Sequence, residues 1–242
     1  MSKHPLVLGH RGARREAPEN TLPSFRRALE VGAAGVELDA RLTADDQVIV
    51  LHDADLARTT DGHGRADELT LAEIRGLDAG GYFGPAFAGT RIPTLAEALE
   101  VLAPAQLVNV ELKGPDEDTG LERRVLEVVR AAGMLERVVF SSFSPEHLRR
   151  LRRLDGQLAL ATLYGASLFH PAPWALVEEL RLEALHPWRL AVSAGLVRRA
   201  HARGLRVRVW TVNAAAEVRR MVAWEVDGII SDAPGQVQEW VG

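Results

Sequence analysis

Two histidines, three carboxylates and a lysine stand at the ends of short apolar runs. Their types suit proton transfer beside a bound anion. Glu37 and Asp39 are two residues apart, so on a strand they share a face, and the same holds for Glu111 and Lys113. A carboxylate inside a sheet-enclosed core is too costly to ionise unless a cation or an ion pair compensates it. Three such acceptors at one mouth suit a hard divalent ion, Mg²⁺ or Ca²⁺ with Mn²⁺ as a further candidate; pairing with arginines of neighbouring strands is the alternative. His10 and His52 stand at strand ends beside this cluster, and imidazoles that titrate near neutrality let one take a proton while the other gives one. Either alone would read as a hydrogen-bonded core residue. Lysine occurs only at positions 3 and 113, in a chain that otherwise uses arginine for its basic residues. A compact ammonium at Lys113, with Arg11 across the mouth, supplies the point charges that a phosphate oxygen needs.

Such residues must be positioned by regular elements, and the chain alternates them. Strands are expected at Leu6–Gly9, Gly35–Arg41, Leu107–Leu112, Val138–Ser141, Leu158–Thr162, Ala184–His186, Arg206–Val212 and Gly228–Ser231. Helical patterns fall near 22–32, 94–102, 120–132, 145–154, 173–181, 193–203, 214–224 and 234–241. Near-continuous apolar strands alternating with helices predict a parallel sheet covered by helices, and at 242 residues a closed (β/α)8 TIM barrel fits best. A doubly wound open sheet is the alternative. In either case ligands sit at the carboxyl ends of the strands, where His10, Glu37, Asp39, Glu111, Lys113, Trp210 and Asp232 fall. After the second strand, Thr43–Asp46 reads as a turn and Gln47–Leu51 as a strand returning toward Arg41, ending in His52. Residues 54–91, rich in Gly, Asp and Thr, form a small lid-like insertion within a single domain spanning 1–242.

Composition narrows the chemistry. The chain has no cysteine, which excludes thiolate catalysis and thiolate metal sites. With 29 Lys plus Arg against 33 Asp plus Glu, the net charge of −4 gives no basic field for nucleic acid, so any anion site is local. No apolar stretch approaches the 18 residues of a membrane span and no h-region opens the chain, so a cytoplasmic protein without stable membrane association is expected.

Other polar residues read first as structure. Asn20-Thr21 precedes a helical pattern with Pro23 in its first turn, which predicts a cap, and Glu19 is near enough in sequence to His10 to orient it. Trp210 either packs on the barrel wall or lines the mouth as an apolar surface for a substrate's carbon skeleton. Among the remaining histidines, His4 is in the tail, His63 in the insertion, His147 and His201 on helices and His170 in a loop; the role of His186, at the end of the sixth barrel strand, is open.

Taken together, GHRG at 9–12, APENT at 17–21, VELDARLT at 36–43, VIVLHDADLARTTDGHG at 48–64, IPTLAEAL at 92–99, NVELK at 109–113, SSF at 141–143, VWTVN at 209–213 and VDGIISD at 226–232 resemble the glycerophosphodiester phosphodiesterase family. The resemblance covers nearly the whole chain in order. It implies a TIM barrel with an insertion after the second strand, and metal-dependent hydrolysis of small-molecule glycerophosphodiesters to sn-glycerol 3-phosphate and an alcohol. It further implies His10 and His52 as the acid/base pair, Glu37, Asp39 and Glu111 as ligands of one divalent cation, and Arg11 and Lys113 as phosphate contacts. In such a mechanism a glycerol hydroxyl of the substrate attacks phosphorus first, and water opens the resulting cyclic phosphate. A phospholipase-like relative acting on lipids or lysolipids, and a barrel that binds a phosphorylated ligand without turnover, are the rival readings. The chain departs from the family pattern at Glu225, where glycine is usual, which puts a helix cap in doubt, and at Ala57, where an acid is usual.

Overall fold

A computed structural model describes residues 4–165 and 172–242, so His170 lies outside the described residues. The strands are β1 (Leu6–His10), β2 (Gly35–Leu42), β3 (Val48–Val50), β4 (Leu107–Leu112), β5 (Val138–Ser142), β6 (Leu160–Tyr164), β7 (Ala184–Pro187), β8 (Arg206–Val209) and β9 (Gly228–Ser231). All but β3 are parallel, and β1 pairs with both β2 and β9, which closes an eight-stranded barrel. The helices between them are α1 (Leu22–Glu30), α3 (Leu95–Val101), α4 (Leu121–Ala131), α5 (Pro145–Leu154), α6 (Trp174–Leu180), α7 (Ala194–His201) and α8 (Ala215–Ala223), followed by α9 (Pro234–Val241). A one-turn α2 (Leu71–Ile74) lies in the insertion. This is the closed (β/α)8 arrangement, not the open sheet. None of the described helices is long and apolar enough to cross a membrane.

Period-two alternation divides each strand between two environments. On β2, Val36, Leu38 and Ala40 join the main apolar cluster, with Phe25, Leu99, Val110, Phe140 and Leu151. Glu37 and Asp39 take the opposite face, toward the barrel axis. Lower in the barrel the interior narrows to small residues, Val139, Ala161 and Ala184. Arg208 fills the remaining floor, 1% exposed, its guanidinium donating to Glu183 over 2.9 Å. Gly228 makes room for it: a Cβ there would stand 2.9 Å from the Arg208 Cγ.

The expected hairpin is present, with β3 antiparallel to β2 through Ala40↔Val50 and Leu42↔Val48. The insertion has its own apolar cluster of Ile49, Leu51, Leu56, Ala66, Ile74, Ala79 and Ile92. Asp78 pins its second half by accepting the backbone N–H groups of Gly80, Gly81 and Gly89.

Three local expectations shift. The strand expected at 158–162 starts at Leu160 and runs to Tyr164, because the turn at Asp155–Gln157 occupies the approach. The strand expected to reach Val212 ends at Val209; beyond it Trp210 only bridges to Trp188, and Val212 N–H turns to the Ile230 carbonyl. Thr21 takes the cap position of α1 but its hydroxyl donates to the Pro18 carbonyl, and the Asn20 side chain leaves the helix for Asp39, so neither side chain caps.

At the end of α8 the backbone keeps the left-handed turn without glycine. Glu225 has φ of 60°, and Val226 N–H reaches back to the Met221 carbonyl over 3.2 Å. A side chain in that region is strained where glycine is not. Glu225→Gly is therefore expected to stabilise the protein by roughly 0.5–1 kcal/mol, read as a higher urea midpoint at unchanged slope.

Candidate active site

The turn that ends β1 can be built only from glycine at two points. A Cβ on Gly9 would stand 2.6 Å from the Gly12 carbonyl oxygen, and one on Gly12, whose φ is 86°, 2.2 Å from Ser24 Oγ. Between them Arg11 is itself left-handed, with φ of 54°. The tight turn directs its N–H to Glu37 Oε2 at 3.0 Å and its guanidinium to Glu19 at 2.7 Å and Asp39 at 3.3 Å.

Parallel register assembles the carboxylates. Glu37 lies beside His10 on one flank and Asn109 on the other, while Asp39 faces Glu111. Glu37, Asp39 and Glu111 are buried, and each offers an oxygen such that all three lie within 4.8 Å of one another. Lys113 Nζ touches Glu111 and sits 3.4 Å from Asp39, which also accepts Asn20 Nδ2 at 2.8 Å. Burial raises the Glu37 pKa well above the usual range, with the charges of Asp39 and Glu111 adding to it. Burial also pushes Glu111 up to about 7, against Lys113. Asp39 is equally buried, yet Lys113 and Arg11 hold it well below the ordinary carboxylate range.

Each flanking histidine is held by a carboxylate at Nδ1. His10 Nδ1 pairs with Asp232 Oδ1 at 2.6 Å, and Asn213 fixes that carboxylate by donating to Oδ2 at 2.7 Å while its own oxygen accepts Ser231 Oγ and Asp232 N–H. His52 Nδ1 pairs with Asp53 at 2.6 Å, Asp53 is gripped by Arg58, and the His52 carbonyl accepts two N–H groups of Arg41 at 2.9 and 2.7 Å. Both rings thus keep Nε2 for the cavity, that of His10 lying 3.9 Å from Glu37. Burial lowers both imidazole pKa values, opposed at His10 chiefly by Asp232 and at His52 by the charge of Asp39.

The cavity, about 350 Å³, has the charged cluster on one side and Phe143, Leu163, Trp210 and Ile230 on the other. Phe143 and Trp210 meet edge to face at 5.5 Å. The layout joins buried acids, two oriented imidazoles and two cations to an apolar wall, and among the described residues no serine, threonine or tyrosine lines the cavity.

The sequence matches the model of the glycerophosphoryl diester phosphodiesterase family over residues 10–236. The chain belongs to that family. It is 39% identical over 231 residues to a glycerophosphodiester phosphodiesterase of Caldanaerobacter subterraneus subsp. tengcongensis, covering 95% of this chain and 94% of that protein. It is 32% identical to a Bacillus subtilis glycerophosphodiester phosphodiesterase, covering 95% of this chain and 84% of that one. Among solved structures, an Oleispira antarctica phosphodiesterase in complex with the product sn-glycerol-3-phosphate superposes with a TM-score of 0.87 at 31% identity, covering 98% of this chain and 97% of that one. The glycerophosphodiester phosphodiesterase of Agrobacterium tumefaciens gives 0.86 at 30%, covering 97% and 99%.

In this member of the family, His10, Arg11, Glu37, His52, Glu111, Lys113 and Trp210 line one cavity, and Asp39 lies directly behind Arg11 and Lys113. Trp210 lines the mouth, with its indole N–H on the His186 carbonyl at 2.8 Å. His186 itself faces Arg208 in the barrel, not the cavity; burial, then that guanidinium, drives its pKa well down. Glu19 does not orient His10: it is taken by Arg11, Arg14 and Arg58. His147 is buried against Glu122, outside the cavity, and His201 pairs with Asp227.

The sequence places Asp232 at a strand end and Asn213 in the VWTVN segment, and assigns a role to neither. The signal available was the position of Asp232 at a strand end; its partner His10 lies 222 residues away.

Glu19 is the joint between β1 and the insertion. Burial opposes its charge, but Arg58 and Arg11 hold its pKa at about 2. Its stabilising contribution is therefore full above about pH 4.5, the unperturbed value, and is lost as pH falls toward 2. Glu19→Gln is expected to lower stability at pH 7 by on the order of 3 kcal/mol, and the gap from wild type, followed by thermal unfolding, should narrow steadily between pH 5 and 3.

Proposed function

We propose that the cavity hydrolyses glycerophosphodiesters to sn-glycerol 3-phosphate and an alcohol, with His10 and His52 as general acid and base. The observation that carries this reading is the pairing of each Nδ1 with its own carboxylate, which leaves two Nε2 atoms toward one cavity beside buried acids and cations. Family membership and the product complex of the Oleispira relative supply the substrate class.

An in-line displacement at phosphorus needs a base for the attacking hydroxyl, an acid for the leaving oxygen and positive charge at the equatorial oxygens. One histidine takes the proton of a glycerol hydroxyl of the substrate as its oxygen attacks phosphorus. The other protonates the departing alkoxide, and the products are a cyclic phosphate and the free alcohol. Water then opens the ring with the proton transfers reversed, which restores both histidines. Lys113 and Arg11 contact the phosphate oxygens, and Trp210 packs on the carbon face of the glycerol.

Glu37, Asp39 and Glu111 fit a divalent cation. They are hard oxygen donors buried within 4.8 Å of one another, three carboxylates set against the two cations Lys113 and Arg11. Bound there, Mg²⁺, Ca²⁺ or Mn²⁺ supplies Lewis-acid charge beside the phosphate oxygens. It would also offset the burial, and then the neighbouring carboxylate charge, that raise the pKa of Glu37 and Glu111.

His10→Ala and His52→Ala are each expected to lower kcat on glycerophosphocholine by roughly 10²–10⁴-fold at near-native melting temperature, and chelation should abolish turnover until a divalent ion returns. Retained turnover in both variants overturns the acid/base assignment. Asp232→Asn keeps the side chain's shape but loses the charge that orients His10. It should reduce kcat by roughly tenfold or more with KM little changed, measured by steady-state kinetics, and have much less effect when combined with His10→Ala.

A further inference from the structure

Lys113 lines two cavities. One is the catalytic pocket; the other is a larger cleft of about 1090 Å³ that runs from Lys113 between the β2–β3 turn, the insertion and the loop after β4. Lys113 is therefore the residue at their junction. The far side of the catalytic pocket is closed by Phe143, Leu163, Trp210 and Ile230. An ester arm that leads away from that wall past Lys113 enters the cleft.

The lining of the cleft selects among alcohols. Of the cations around the two cavities, Arg11, Lys113 and Arg65 each have a carboxylate within 4.0 Å, whereas Arg41, among the described residues, has none. Two of its nitrogens, Nε and Nη2, donate to the His52 carbonyl, which leaves Nη1 for a ligand. The carboxylates in the cleft are already matched, Asp67 by Arg65 at 2.5 Å and Asp46 by Arg124 at 3.6 Å. Among the described residues no aromatic side chain lines it. A quaternary ammonium is recognised by aromatic faces or an unmatched carboxylate, and finds neither there. A polyol both donates and accepts hydrogen bonds, and can use a free guanidinium N–H together with ion-paired carboxylate oxygens.

We propose that this cleft is the subsite for the departing alcohol and that it favours hydroxyl-rich head groups, such as glycerol or inositol, over choline. The inference rests on the phosphodiesterase reading above and adds a specificity to it. Arg41 is the selecting residue, and because it also carries the His52 carbonyl it couples head-group contact to the position of that histidine.

The test compares kcat/KM for glycerophosphoinositol, glycerophosphocholine and the methyl ester of glycerol 3-phosphate. Wild type is expected to prefer the inositol diester to the choline diester by roughly tenfold, the value of one charge-assisted hydrogen bond. Arg41→Gln lowers all three rates, and should collapse the inositol-to-choline ratio toward one. Ala44→Trp places bulk on the exposed wall of the cleft. It should lower kcat/KM for the inositol diester by about tenfold while the methyl ester, which has no head group, stays within about twofold. A choline preference in wild type, an unchanged ratio in Arg41→Gln, or equal effects of Ala44→Trp on both esters overturns the subsite. Absence of turnover with all three substrates overturns the phosphodiesterase reading itself.

Discussion

Three carboxylates buried within 4.8 Å of one another are the constraint around which this mouth is arranged. Left alone they would repel and protonate, and two of them show that tendency in their raised pKa values. The third stays ionised because the turn after β1 and the end of β4 bring Arg11 and Lys113 against it, and Asn20 donates to it from behind. The left-handed Arg11 and the glycines at 9 and 12 serve this balance: without the tight turn the guanidinium and the Arg11 N–H could not both meet the cluster. The cluster is thus half-neutralised by the protein itself, and a divalent cation would complete it.

The histidines face the opposite problem. Burial alone would leave both imidazoles neutral and unable to serve as acids. Asp232 and Asp53 oppose that, and each is fixed by a donor that is not part of the cavity, Asn213 for one and Arg58 for the other. The two supports differ in their donors. Asp232 is held by the neutral amide of Asn213, whereas Asp53 is held by Arg58, which it shares with Glu19.

Much of this was legible in the sequence for a geometric reason. Strand alternation is strictly two, so Glu37 with Asp39 and Glu111 with Lys113 could be assigned to one face before any coordinates, and the parallel register then brings the pairs side by side. The apolar runs carried the barrel order in the same way. What escaped depends on contacts that chain spacing does not encode. Asp232 meets His10 only because β9 closes on β1, and Glu19 turns from the nearby histidine to arginines because three guanidiniums outbid one imidazole. The cap expected of Asn20 failed for a related reason: its amide nitrogen donates to the buried Asp39 carboxylate and its oxygen accepts the Asp39 N–H, so that oxygen is not left to accept from the first N–H groups of the helix.

The placement of His52 shows how a residue outside the barrel order can still be held to the barrel's precision. It follows a short antiparallel strand, not a barrel strand, and leads into an insertion with its own apolar cluster. Backbone pairing with β2 carries it as far as Val50; beyond that, polar contacts take over. Leu51 N–H reaches the Asp39 carbonyl, Arg41 of β2 grips the His52 carbonyl, and Arg58 ties the next residue's carboxylate to Glu19 behind β1. Each of these partners belongs to a segment that also bears part of the carboxylate cluster or its counter-charges. A shift of the insertion would therefore pull on the Asp39 backbone and on Glu19, the partner of Arg11, so the second histidine and the anionic centre are joined by one connected network.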